Sequence, residues 1–259
     1  MPLVFSAITP HPPIIVPGVS SPTEFRQCQK TVTGMQALGR EFSSAKPEAI
    51  VIMSPHSPSL PEGFALNTAP DIEISLLDFG VTDPDLLLHA DKSLSDQIIA
   101  NTQATAINNS RADHGVAVPL FYLLSQSANT TLVSLGYAQA DLREHFAFGK
   151  KLAEIIGQSE KRIAFVASGD LSHRLTPDAP AGFSKHGQEF DDLIVKHLQN
   201  KDKEAILNLD PSMINAVGEC GLRSIATLLG IIDQTDYQTD IISYEGPFGV
   251  GYLVANLKL

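Results

Sequence analysis

The stretch Leu3-Val4-Phe5-Ser6-Ala7-Ile8-Thr9-Pro10-His11-Pro12-Pro13 is an apolar run that leads into a histidine held between prolines. A short, continuously apolar run is typical of a buried β-strand. Proline fixes the backbone angle φ and lacks an N–H donor, so the loop around His11 is stiff. We therefore predict a strand over residues 3–8 that presents one rigid histidine at its carboxyl end.

The same arrangement occurs twice more along the chain. Residues 49–53 form an apolar run before Ser54-Pro55-His56-Ser57-Pro58, and residues 162–167 form one before Ser168-Gly169-Asp170-Leu171-Ser172-His173. In open α/β sheets, ligands and chemistry collect at the carboxyl ends of the strands. Three strand ends, each followed by a histidine, therefore predict one shared site formed by His11, His56 and His173.

Strand-like and helix-like segments alternate along the chain, which favours a mainly parallel sheet with helices on both faces. We predict an α/β fold, a single three-layer domain over residues 1–259 with a mainly parallel or mixed central sheet. The predicted strands are 3–8, 49–53, 64–67 and 72–77 (a strand pair), 104–108, 131–135, 162–167, 240–244 and 250–256. The predicted helices are 23–42, 84–99 (with Asp83 as N-cap before Pro84), 116–126, 141–156, 185–199, 203–209 and 221–232. Residues 176–187 are predicted to form a loop suited to act as a lid.

Composition narrows the functional classes. The formal net charge is −11 and no cluster of Lys and Arg occurs, which argues against nucleic acid as a partner. No apolar run approaches the roughly 20 residues of a membrane helix, and the N-terminus shows no secretory signal, so we expect a cytoplasmic protein that does not enter a membrane. The two cysteines are too few for a disulfide framework. Cys28 falls in a helical pattern and is expected to be inert.

The rigid loops of His11 and His56 suit metal ligation, because imidazole is the commonest protein ligand for metals and stiff loops hold a ligand in place. The alternative is a pair of turn histidines that only pack. Two matched loops favour the metal, and they predict that the two rings converge at one end of the sheet.

Two further motifs offer groups for catalysis. In Asp113-His114-Gly115, a neutral His114 before an apolar helical run could donate a hydrogen bond to a substrate; the alternative is a helix-start histidine held by a local carboxylate. In the loop after residue 167, His173 suits a general acid–base. Asp170 could orient His173 or accept hydrogen bonds from backbone amides; the alternative is that it only forms the turn.

A third metal ligand is predicted within Gly218-Glu219-Cys220-Gly221, ahead of the last long helical run. A carboxylate or a thiolate can complete a two-histidine site, so Glu219 and Cys220 both remain candidates, with Glu219 favoured for iron. The alternative is that Glu219 caps the helix and Cys220 packs. Glu245, in a glycine-rich stretch, is the next candidate. The remaining histidines are assigned to the surface: His89, His145, His186 and His197.

Two common catalytic motifs are missing, the Gly-x-Ser-x-Gly elbow and the Gly-x-x-x-x-Gly-Lys-Ser/Thr loop. This weighs against a serine hydrolase and a P-loop enzyme. Aromatic residues make up only 7% of the chain and Trp is absent, so no stacking platform for a substrate is evident.

Taken in order, the motifs resemble the class III extradiol ring-cleavage dioxygenase superfamily (LigB-like). The resemblance runs from the Pro-flanked His11 loop to the glycine-rich C-terminus. Residues 167–191, with Thr176-Pro177-Asp178-Ala179-Pro180, are similar to the branch of AmmeMemoRadiSam systems, which is related to Memo proteins.

The resemblance implies an oxidoreductase that opens the ring of a small catechol-type diol with O₂. Fe(II) is the implied cofactor, with Zn or Cu as alternatives. The implied ligands are His11, His56 and either Glu219 or Cys220; the Cys220-Gly221 pair matches the Memo pattern. His173 corresponds to the acid–base histidine and His114 to the substrate-side histidine. The alternative function is a Memo-like metal-binding protein for redox work or partner binding without ring cleavage. A zinc hydrolase is a third alternative, and a homo-oligomer is left open.

Overall fold

The computed structural model describes residues 2–58, 60, 62–82, 85–124 and 130–259. The strands in this part of the chain are β1 (Leu3–Thr9), β2 (Ala49–Ser54), β3 (Phe64–Asn67), β4 (Asp71–Ser75), β5 (Asp85–His89), β6 (Ala104–Ile107), β7 (Thr131–Gly136), β8 (Ile163–Ser168), β9 (Gln238–Glu245) and β10 (Tyr252–Lys258). The helices are α1 (Pro22–Gln27), α2 (Gln29–Ala45), α3 (Lys92–Asn101), α4 (His114–Leu123), α5 (Leu142–Gly157), α6 (Gly187–Gln199), α7 (Lys203–Leu207), α8 (Pro211–Val217) and α9 (Leu222–Ile231).

The main sheet has eight strands in the order β6-β3-β7-β2-β8-β1-β10-β9. Its centre is parallel, since β2 pairs in parallel with both β7 and β8, and β8 pairs in parallel with β1. The strands β9 and β10 add an antiparallel edge. The predicted three-layer α/β fold with a mixed sheet is confirmed.

The centre of the sheet is apolar because helices cover both of its faces. Every residue of β2 and of β8 is buried. One hydrophobic cluster packs α5, α6 and α9 on one face, and a second packs α2 and α4 on the other. Strands that are buried on both faces have continuous apolar sequences. This is why these strands could be predicted from the sequence.

The order of the central strands brings the predicted site together. Strands β2, β8 and β1 are neighbours and run in parallel, so the loops that follow them leave from the same edge of the sheet. These loops carry His56, His173 and His11.

The prediction of one helix over residues 84–99 was wrong. The structure has β5, which pairs with β4 in a separate two-stranded sheet, followed by α3, whose N-cap Asp91 accepts a hydrogen bond from Leu94 N (3.2 Å). The packing that residues 85–89 gain by pairing with β4 outweighs the helical preference indicated by the spacing of their leucines. The proposed cap Asp83 and Pro84 lie outside the described residues. The predicted pairing of residues 64–67 with 72–77 was also wrong, because β3 pairs with β6 and β7.

Several helix boundaries differ from prediction. The segment 23–42 is two helices, α1 and α2, that meet at Cys28, a buried thiol whose pKa is raised to about 12, mainly by desolvation. The helix predicted over 116–126 begins earlier, at His114, and residues 125 and 126 lie outside the described part. Helix α8 was not predicted; Asp210 caps it and Pro211 begins it.

The assignment of His145 to the surface was wrong. This residue is fully buried on the inner face of α5, where its Nδ1 lies 2.7 Å from the carbonyl oxygen of Asp141. Burial lowers its pKa to about 4. Its neighbours Glu144 and Arg143 are exposed, and these polar neighbours made His145 look like a surface residue in the sequence.

No helix in the described ranges is both long and apolar enough to cross a membrane.

Candidate metal centre

His11 and His56 converge at the carboxyl edge of the sheet. Their Nε2 atoms are 3.0 Å apart, and their ring centroids are 4.8 Å apart at an interplanar angle of 82°. His11 is buried and His56 is exposed, so the pair lies where the protein interior opens to solvent. The predicted convergence of the two rings is confirmed; their role as metal ligands stays a prediction.

Two neighbours set the position and the tautomer of His11. The backbone N–H of His11 donates to Asp170 Oδ1 (3.1 Å). The Ser168 hydroxyl donates to the Gly115 carbonyl (2.5 Å), so Ser168 Oγ must accept from His11 Nδ1 at 2.9 Å. With its proton on Nδ1, the His11 ring presents the Nε2 lone pair to His56. A hydrogen bond on the far nitrogen is the usual way in which proteins orient a ligating histidine.

Asp113 holds the His56 loop. Its Oδ1 accepts from Ser54 Oγ (2.6 Å) and its Oδ2 accepts from Ser57 Oγ (2.8 Å), on either side of the histidine. The backbone N–H of His56 in turn donates to Ser54 Oγ (3.2 Å). Asp113 therefore ties this loop to the start of α4, a role that its position in the sequence did not indicate.

His114 is the first residue of α4, and its ring lies beside those of His11 and His56. Its ring centroid is 4.0 Å from that of His56 and 5.5 Å from that of His11. Gly115 allows this approach, because a Cβ at that position would collide with Ser54 Oγ. Nitrogen atoms of His11, His56 and His114 lie within 4.8 Å of one another. His114, predicted on the substrate side, is therefore also within reach of a shared metal.

A second group of donor atoms shares His11. Its Nε2 is 3.8 Å from Cys220 Sγ and 3.9 Å from Asp170 Oδ2. The two loops are bonded together, since the Cys220 backbone N–H donates to the Asp170 carbonyl (3.2 Å) and the Asp170 backbone N–H points at Cys220 Sγ (3.2 Å). Of the roles predicted for Asp170, the structure shows the bond to a backbone amide, which here is that of His11. We call His11, His56, His114, Asp170 and Cys220 the donor cluster.

Glu219 faces away from the donor cluster. Its Oε2 accepts from Leu222 N (2.7 Å) at the start of α9, and its Oε1 lies 3.9 Å from the Arg223 guanidinium. The sequence analysis favoured Glu219 as an iron ligand, but the structure places its carboxylate at the helix end and turns Cys220 toward His11. Glu245 is engaged elsewhere, where its Oε1 accepts from both the N–H and the hydroxyl of Thr31 at 2.7 Å.

His173 lies beside the donor cluster without joining either donor group. Its backbone N–H donates to the Val217 carbonyl (3.0 Å), and the preceding Ser172 N–H donates to Asp191 Oδ1 (2.9 Å). Asp191 is fully buried and also accepts from Tyr244 Oη (2.7 Å). The loop that carries His173 is therefore held by α6 and by the end of α8.

The electrostatics of the cluster favour neutral rings. Desolvation is the largest cause that lowers the pKa of His11, His56, His114 and His173, and for His11 the neighbouring histidines lower it further. Burial also raises the pKa of the Cys220 thiol well above its ordinary value and that of Asp170 to about 7. Neutral imidazoles with free lone pairs are what a metal requires, so the residues present fit a divalent cation, which would displace the thiol proton if Cys220 ligates.

We expect Ser168→Ala to weaken metal affinity about 10- to 100-fold, the usual effect of removing a partner that orients a ligating histidine. The substitution frees His11 Nδ1, so the ring loses its fixed tautomer. Metal affinity measured by competition with a chelator tests this. Ser44→Ala, on the exposed end of α2, is the control. Equal affinities of the Ser168 and Ser44 variants would contradict the assigned tautomer.

Separate Cys220→Ala and Glu219→Ala variants should differ sharply in metal content. Loss of the thiol facing His11 is expected to lower metal occupancy, whereas loss of the Glu219 cap is expected to lower stability by about 1 kcal/mol and to leave metal in place. Metal analysis and thermal melts on both variants separate the two effects. Full occupancy in Cys220→Ala would exclude the thiol as a required ligand.

The fold and the donor cluster together define an α/β protein with a histidine-rich candidate metal centre at the carboxyl edge of its parallel strands. Residues 6–255 match the family described as the catalytic LigB subunit of aromatic ring-opening dioxygenase, and the chain belongs to this family.

Two individual proteins show the extent of the similarity. Protein CA_C1420 of Clostridium acetobutylicum is 31% identical over 265 residues, and the match covers 97% of this chain but only 56% of that protein's length. The crystal structure of the uncharacterized protein JW3007 from Escherichia coli K12 matches with a TM-score of 0.70 and 18% identity, covering 98% of this chain and 99% of that one. At this identity the structural match shows a shared fold.

Proposed function

We propose that this protein is a non-heme Fe(II)-dependent dioxygenase that cleaves the ring of a catechol-type diol with O₂ at the extradiol position. One observation carries the proposal: His11 and His56 present Nε2 atoms 3.0 Å apart at the carboxyl edge of the sheet, in a chain of the LigB family. Two histidines with one carboxylate make an Fe(II) site that leaves positions open for substrate and O₂.

The donor cluster supplies more groups than one metal needs. His11 and His56 would hold the ion, and Cys220 and Asp170 are the groups nearest to His11 that could complete the site. Fe(II) bound there would supply Lewis acidity toward the diol and one-electron chemistry toward O₂.

The other residues handle protons and orientation. His173 is neutral at pH 7 because burial lowers its pKa, so it can accept a phenolic proton and return it to the opened product. His114 is less buried than His11 and can hydrogen-bond an oxygen atom of the substrate. Holding diol and oxygen together would add the rate advantage of proximity.

The decisive experiment starts with protein purified without oxygen and analysed for metal. The Fe(II)-loaded protein is then mixed with a set of catechols and oxygen, and both oxygen uptake and the visible absorbance of ring-opened products are recorded. We expect coupled oxygen uptake and product formation with at least one catechol. Absence of both with iron-loaded protein would reject ring cleavage.

A second function has its own supporting observation. The thiol of Cys220, and not the carboxylate of Glu219, faces His11, and thiolates favour Cu(I) and Zn over the iron of oxygen-activating sites. A Memo-like metal-binding protein that does redox work or binds a partner without ring cleavage fits this arrangement. A preference for copper or zinc over Fe(II), together with no catechol turnover, would favour this second function.

A further inference from the structure

Phe79 lies at the edge of the donor cluster. Its ring centroid is 5.6 Å from that of His114 with the planes at 68°, and 37% of the residue is exposed. Single exposed apolar side chains are ordinary on protein surfaces, so exposure alone has no functional meaning. The contact with a histidine of the donor cluster gives this ring a defined position beside the candidate site.

The backbone that carries Phe79 is well fixed. Residues Leu77–Phe79 form a 3-10 turn, in which Phe79 N–H donates to the Leu76 carbonyl (2.9 Å). Leu76 is fully buried beneath the turn. Gly80 closes the turn with φ of 82°, a left-handed conformation that glycine adopts without strain. The ring of Phe79 therefore projects from a short turn whose backbone is fixed.

The turn is tied to the segment that enters α4. The Arg111 guanidinium lies 3.2 Å from the carboxylate of Asp78, the neighbour of Phe79, and 3.8 Å from that of Glu73. Arg111 comes just before α4, which begins at His114. These ion pairs therefore link the turn that carries Phe79 to the segment that carries His114.

On its other side the turn reaches the loop that follows His11. Val81 packs so closely on this loop that a Cβ at Gly18 would lie 3.0 Å from Val81 Cγ1. The segment from Phe79 to Val81 therefore contacts both His114 and the loop that follows His11.

We propose that Phe79 determines specificity: its ring is the wall against which the flat ring of an aromatic diol lies when the diol oxygens reach the donor cluster. Aromatic rings attract one another in offset or edge-to-face geometry at centroid separations of about 4.5–7 Å. The Arg111 charge is matched by Asp78 and Glu73, so this wall offers an apolar surface and no free cation for an anionic group. The inference rests on the proposed function, because it assumes a diol bound at the donor cluster.

The test measures binding in the zinc-loaded protein, because zinc is redox-inactive and no turnover interferes. Calorimetry gives the dissociation constant of catechol and that of acetohydroxamate, a chelator without a ring. We expect Phe79→Ala to weaken catechol binding about tenfold, from lost stacking and lost apolar contact. Acetohydroxamate affinity should stay unchanged, and Phe79→Tyr should bind catechol as the wild type does.

Leu77→Ala is the matched control, since Leu77 is 56% exposed on the same turn. Its catechol affinity should equal that of the wild type. Equal catechol affinities of Phe79→Ala and wild type, equal losses in the Phe79 and Leu77 variants, or no catechol binding by the wild type would each overturn the inference. If catechol binding depends on Phe79 but the Fe(II) form opens no ring, Phe79 keeps its role and only ring cleavage fails.

Discussion

Replacing His11 with alanine is expected to abolish metal binding, with affinity reduced by more than about 100-fold, beyond the effect of losing an orienting partner. His11 is the one residue shared by both groups of donor atoms found among the described residues. Its removal leaves His56 and His114 in one group and Asp170 and Cys220 in the other, so neither group keeps three donors. Metal content after loading and the dissociation constant from chelator competition measure the loss.

His89→Ala is the control for the His11 substitution. The His89 side chain is 79% exposed and pairs with Asp71 on the two-stranded sheet, so its removal should leave metal content unchanged. A His11→Ala protein that is folded and retains a full equivalent of metal would exclude the proposed centre. Removal of metal from the wild type by a chelator should abolish any ring-opening activity to the same extent as His11→Ala.

Replacing His173 with alanine or glutamine is expected to slow catechol turnover by roughly 10²- to 10⁴-fold, the usual contribution of general acid–base catalysis. Metal content should be unchanged, because His173 belongs to neither donor group. His186→Ala is the control, since 42% of this side chain is exposed and its ring pairs with Glu189. Loss of metal from His173→Ala would make it a ligand, and unchanged turnover would remove it from the mechanism.

The pH dependence gives an additional measurement on His173. A base must be unprotonated to accept a proton, so activity falls where the imidazole becomes protonated. Since burial lowers the pKa of His173 below 6.5, the acidic limb of the pH–rate profile is expected below pH 6.5. In His173→Gln this limb should shift or disappear, whereas loss of metal from protonated ligands would produce a limb that both proteins share.

The sheet and three of the site histidines could be predicted from sequence because their signals are local. A continuous apolar run marks a strand covered on both faces, and the prolines beside His11 and His56 mark stiff loops at its end. General rules of α/β folds place the loops after parallel strands at one edge of the sheet, whereas the order in which β2, β8 and β1 are neighbours is seen only in the structure.

Other features depend on contacts between distant parts of the chain. The partners that orient the histidines, Ser168 for His11 and Asp113 for the His56 loop, are 157 and 56–59 residues away from the groups they bind. Residues 85–89 form a strand because β4 offers them a partner, and His145 is buried because α5 packs that face against the sheet. The local sequence around a residue does not show which distant residues will contact it.

Glu219 and Cys220 show most clearly what the sequence determines and what only the tertiary structure decides. The sequence by itself determined that a carboxylate and a thiol stand side by side ahead of the last long helix. Adjacent side chains leave the backbone in different directions, so only one of them can face His11. Tertiary structure decided which one: Gly169 and Gly221 let the two loops pack backbone to backbone, the Cys220 N–H bonds to the Asp170 carbonyl, and this turns the thiol inward while Glu219 caps α9.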